Sequence, residues 1–168
     1  MQTQATLTVR SSTFRDGETI PQSAVFDAFG CTGGNQSPDI SWSGEPAGTK
    51  SFAVTIWDPD APTGVGWVHW LVFDLPADAT ALPVRASAEG DLGIAGTQQG
   101  FTDFGFSRYG GPCPPPGPAH HYILTVSALD VPSLGVDETT TYAKLRFLMR
   151  GHVLAAGEIT GLYASPAG

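Results

Sequence analysis

Charge is scarce in this chain. Only 14% of its 168 residues are charged, and eight Lys plus Arg stand against sixteen Asp plus Glu, a formal net charge of −8. The basic residues are scattered, so there is no stripe of cations to track a phosphate backbone, and nucleic acid is excluded as a partner. The same field repels anions at long range, so a phosphate-like ligand has to be captured by local donors. No apolar run approaches a transmembrane span, and the opening MQTQATLTVRSSTF lacks the apolar stretch of a signal peptide. A soluble, cytoplasmic protein with no integral membrane segment is the expectation. Cysteine is equally sparse. Cys31 and Cys113 are far apart and have no CxxC spacing, which suggests neither a zinc knot nor a disulfide framework, and in a reducing compartment two free thiols are expected. A phosphate-binding P-loop and a Gly-x-Ser-x-Gly elbow are absent.

What is present is a foldable chain: 41% of residues are apolar, and the length suits one domain with one core. No internal repeat or linker divides it, so residues 1–168 read as a single domain. The 21 glycines and 14 prolines are spread throughout and cut the chain into strand-length segments. Ser51 to Trp57 alternates Phe52, Val54 and Ile56 with smaller or polar partners, and continuing that face places Asp58 on it. Val68 to Phe73 is apolar on both faces, the mark of a strand covered on both sides, with His69, Leu71 and Phe73 on one of them. His121 to Leu129 carries Tyr122, Leu124, Val126 and Ala128 on one face, and backward extension adds His120. Ala5 to Val9, Ile40 to Trp42 and Glu158 to Tyr163 complete the strands. One helix is expected after Asp137 as N-cap, with Tyr142, Leu145, Met149 and Val153 at helical spacing and Gly151 near its end. The stretch from Ala77 to Gly105 is too long for an ordinary connection, so it is either functional or carries a short element.

Two constellations carry chemistry. Asp58-Pro59-Asp60-Ala61-Pro62 precedes Gly66-Trp67-Val68-His69-Trp70, and its prolines hold two carboxylates in a stiff loop at a strand end. On the residues alone, a rigid turn whose Asp side chains accept backbone N–H bonds explains it as well. Arg108-Tyr109-Gly110-Gly111-Pro112-Cys113-Pro114-Pro115-Pro116-Gly117 leads into His120-His121-Tyr122. Its glycines allow close backbone approach, and its few N–H groups, such as that of Cys113, are free to donate. A spacer or docking segment is the alternative, but so short a loop suits a pocket wall. Lone strand histidines are more often structural than functional. A metal reading of Asp, His and Cys lacks any helical ligand spacing, so no metal and no cofactor is expected.

Together these segments resemble the phosphatidylethanolamine-binding protein family, which includes Raf kinase inhibitor protein. The bacterial Raf-kinase-inhibitor-like branch matches in DPDAP with HW, in GPCPP with HHY, in Gly34-Asn35-Gln36-Ser37-Pro38 with Ser41-Trp42, in Gly48 to Val54, and in Asp103-Phe104-Gly105. The resemblance runs from about Phe14 to Tyr163. It implies a mainly β fold, a β-sandwich of a larger and a smaller antiparallel sheet with a few short helices. It also implies a pocket lined by Asp58, Asp60, Trp67, His69, Gly111, Cys113, Pro114, His120 and Tyr122, and a homodimer of the kind that branch often forms. The family's HRY is His120-His121-Tyr122 here, and Cys113 stands where some relatives have Gly. Relatives with a further C-terminal helix use it to cover this region, so a more open mouth is expected.

The leading functional expectation is a binding module for the phosphate or carboxylate group of a small anionic or zwitterionic ligand, with His69, His120, Tyr122 and loop N–H groups as donors. An acid–base enzyme using Asp58, His69 and His120 for cyclisation, dehydration or hydrolysis is the second reading. A protein partner, a kinase or protease regulated by the loop rim, is the third, and it rests on fold-level analogy.

Overall fold

β4 (Ser51–Asp58) and β5 (Trp67–Pro76) lie near the middle of a six-stranded sheet, and both are almost wholly buried. The computed structural model describes residues 4–88 and 90–166. In the larger sheet β4 and β5 are joined by β8 (His120–Leu129), β9 (Val153–Tyr163) and short edge strands β1 (Ala5–Thr6) and β7 (Gln98–Gln99), in the order β1-β9-β8-β4-β5-β7. A smaller sheet orders β2 (Thr8–Arg10), β3 (Ile40–Ser43) and β6 (Ala81–Leu82) as β2-β3-β6. The expected mainly β sandwich of a larger and a smaller sheet is what the chain forms. Pairing is antiparallel except at one edge, where β1 runs parallel to β9.

The burial pattern explains the apolar runs. Val9, Ile40, Trp42 and Leu82 of the small sheet share one core with Phe52, Val54, Trp70, Val72 and Leu124 of the large sheet. The opposite face of β4 and β5 puts Ala53, Leu71 and Phe73 against Leu145 of α1 (Tyr142–Met149). Strands covered on both faces lose the polar half of their alternation, which is why Val68–Phe73 reads as a continuous apolar run.

Two local expectations need correction. The helix is capped by Thr141, whose side chain accepts from the Lys144 N–H, whereas Asp137 accepts from Thr139 within the preceding turn. The helix also ends before Val153, which opens β9, and Gly151 takes a left-handed backbone (φ 84°) that stops it. Within the long stretch from Ala77 to Gly105 lie the two-residue strands β6 and β7, each finishing one edge of a sheet.

Candidate functional site

Asp58 is the last residue of β4 and His120 the first of β8, so the antiparallel pairing of these strands delivers both to the same end of the sheet. His120 Nδ1 lies 2.7 Å from Asp58 Oδ2, and both side chains are largely buried. Asp58 Oδ1 accepts from the Asp60 N–H at 2.8 Å, the turn expected of Asp-Pro-Asp, and the carboxylate is thereby held from both sides. Prolines 59 and 62 stiffen the loop that follows.

His69 is buried on β5, and its Nδ1 is 2.7 Å from the Gly110 carbonyl. A carbonyl only accepts, so Nδ1 carries the proton. Burial lowers the His69 pKa to about 4, which keeps the ring neutral near pH 7 and makes Nε2 an acceptor. This corrects the expectation that His69 donates to an anion. Its ring packs edge-on against Tyr122 (5.1 Å) and Phe104 (5.3 Å), and Phe104 packs edge-on against Trp67 (5.4 Å). The Tyr122 phenol is pushed up by burial first and by the Asp58 charge second, so it stays protonated and able to donate.

These groups open onto one cavity of about 250 Å³. Asp58, Trp67, His69, Cys113, Pro114, His120 and Tyr122 all line it. Its walls are mostly apolar, and sequence reasoning missed several of them: Phe29, Phe104, Pro62 and Pro115. The DFG segment did contain a signal for Phe104, but nothing local marked Phe29. Among the described residues, no three His, Cys, Asp or Glu side chains gather to hold a metal ion.

The remaining predicted residues sit beside the cavity. Asp60 is exposed, and its Oδ2 accepts from both the backbone N–H and Nδ1 of His121 at 2.7 Å. Those bonds lower the Asp60 pKa. A second Asp–His pair thus flanks the buried one on the outside. Gly111 is buried in the wall, and its N–H is taken by the Asn35 side chain at 2.8 Å. An added Cβ there would collide with the Ala24 backbone, so glycine is required for the loop to lie this close.

The protein matches a family model described as phosphatidylethanolamine-binding protein over residues 10–164. The chain belongs to the phosphatidylethanolamine-binding protein family. It is 46% identical to the UPF0098 protein YbcL of Escherichia coli K12 over 95% of this chain and 88% of that one, and 45% identical to YbhB of the same organism over 92% and 98%. The crystal structure of E. coli YbcL, described as a new member of the mammalian PEBP family, superposes with a TM-score of 0.92 over 96% of this chain and all of that one, at 45% identity. A Chlamydia trachomatis PEBP homologue, CT736, gives 0.81 at 32% identity, covering 96% of this chain and 99% of its own.

Against the reading of two free thiols, this PEBP-family chain joins Cys31 to Cys113 in a disulfide, with Cα atoms 6.0 Å apart. Eighty-two residues separate them in sequence, and no spacing rule pairs two cysteines so distant. The bond ties the segment bearing Phe29 to the Pro-rich wall. The Phe26 N–H adds a second tie by donating to the Pro112 carbonyl at 2.9 Å.

Proposed function

We propose that the cavity binds a small molecule whose polar head carries both an oxyanion and a donor, as phosphoethanolamine does, with an apolar portion against the aromatic and proline walls. The neutral His69 beside the Asp58–His120 pair carries this reading. An anion alone would find acceptors at His69 Nε2 and Asp58, and those sites call for an ammonium or hydroxyl. Its oxyanion would be met by His120, the Tyr122 hydroxyl and the Cys113 N–H, which has no backbone partner among the described residues. A cavity of about 250 Å³ suits a headgroup better than a whole lipid.

Asp60, Trp67, Gly111 and Pro114 would then shape the mouth and wall rather than touch the charged head. The Cys31–Cys113 bond favours an oxidising compartment over the cytoplasmic one expected from the sequence, because disulfides rarely persist in reducing cytosol. An acid–base enzyme remains a second reading. It is favoured by the 2.7 Å contact that orients His120 through Nδ1 and leaves its Nε2 for proton transfer.

Calorimetric titration tests the main reading. Phosphoethanolamine should bind measurably tighter than ethyl phosphate, which lacks the ammonium. Equal affinities, or no heat from either, would sink it.

A further inference from the structure

Beside Tyr109 lies a polar hollow of about 380 Å³ that shares no lining residue with the cavity just described. Two of the six arginines of this acidic chain, Arg85 and Arg108, line it, together with Asn35, Gln36 and Asp27. The Arg108 guanidinium carbon sits 3.9 Å from the centre of the Phe106 ring, a contact through its face that leaves the in-plane N–H donors open. Among the described residues neither guanidinium has a hydrogen bond or ion-pair partner.

The backbone of the hollow is constrained in an unusual way. Asn35 (φ 48°) and Arg85 (φ 63°) are two of the four non-glycine residues with a left-handed backbone among those described. Such conformations persist only where surrounding bonds enforce them, and they concentrate at ligand sites. Here the enforcing bonds are evident. The Arg85 N–H donates to the Ser37 carbonyl at 2.9 Å, and the Ser87 N–H to Ser37 Oγ at 3.2 Å. The Tyr109 N–H donates to Ser87 Oγ at 3.0 Å, which ties the segment bearing Arg85 to the segment bearing Arg108.

We propose that this hollow is a second binding site, for a small oxyanion, a carboxylate or a phosphate, attached to a group bearing a hydroxyl or ammonium. Two planar guanidinium forks match either oxyanion bidentately. Asp27, exposed at the same hollow, repels a bare anion and accepts from the donor on such a ligand.

Residue-resolved amide NMR tests the site with malate and inorganic phosphate as probes. The Ser37, Ser87 and Arg108 amides should shift and saturate with at least one of them, and the tighter probe identifies the oxyanion. Arg85→Gln and Arg108→Gln should each weaken that binding about tenfold or more, the usual effect of losing a charge-assisted donor. Asp27→Asn should tighten inorganic phosphate, which keeps the test decisive should an arginine variant fail to fold. His120→Ala, in the other cavity, should leave these shifts intact. Linear, non-saturating shifts with both probes, or saturation unchanged by Arg108→Gln, would overturn the proposal.

Discussion

The His69 Nδ1–H donates to the Gly110 carbonyl at 2.7 Å, and the Gly110 N–H donates back to the His69 carbonyl at 3.0 Å. This reciprocal pair locks the Pro-rich wall to β5 and fixes which ring nitrogen faces a ligand as an acceptor. A histidine that reads in the sequence as a donor is thereby converted into its opposite.

The buried His69 makes stability depend on pH in a defined direction. Its folded pKa of about 4 lies below the ordinary histidine value of about 6.5, so the unfolded chain binds the proton more readily. Its contribution is fully present above the unfolded pKa, declines as pH falls below it, and is gone once pH passes the folded one. The gap corresponds to about 3 kcal/mol at most. Urea unfolding at neutral and acidic pH should show wild type losing more stability than His69→Gln, and equal losses would contradict the assignment.

Reducing the Cys31–Cys113 bond releases a constraint across 82 residues. Loss of about 2–5 kcal/mol is expected, together with weaker binding of phosphoethanolamine as the Phe29 segment loosens from the wall. Thermal unfolding and calorimetry with and without reductant check both effects. Unchanged affinity in the reduced protein would show that the bond serves stability alone.

Gly111→Ala should destabilise by roughly 1–3 kcal/mol or more, because the new methyl group meets the Ala24 and Phe26 backbone rather than a yielding side chain. The midpoint of urea unfolding reads this directly. An unshifted midpoint would mean that the wall is looser than its packing indicates.

Much of this was legible in the chain. The apolar run through Trp70, Leu71, Val72 and Phe73 announced a strand buried on both faces, and the alternation of Tyr122, Leu124 and Val126 announced β8, which lies on the other side of β4. Extending each pattern by a residue or two puts Asp58 and His120 on the apolar faces of their strands, and the antiparallel pairing of β4 with β8 brings them to a common sheet end. Asp60 enters the expected pocket only through the family resemblance, since an alternation fixes faces only within a strand, and the turn at Asp58 directs the Asp60 carboxylate to His121. Phe29 was invisible because it reaches the cavity through the disulfide and its tilted packing against Phe26 (5.3 Å), long-range or irregular contacts with no periodic trace. The tautomer of His69 depends on a carbonyl forty-one residues away, which no local pattern reveals.

Whether the Asp58–His120 pair reads a headgroup carrying both charges is decided by titrating His120→Ala and Asp58→Asn with phosphoethanolamine and ethyl phosphate. His120→Ala should weaken both ligands by about one to two decades, the effect of losing a charge-assisted donor. Asp58→Asn should weaken phosphoethanolamine and spare or improve ethyl phosphate, because only the former has an ammonium for the carboxylate to hold. If both variants bind both ligands as wild type does, the pair does not read the headgroup.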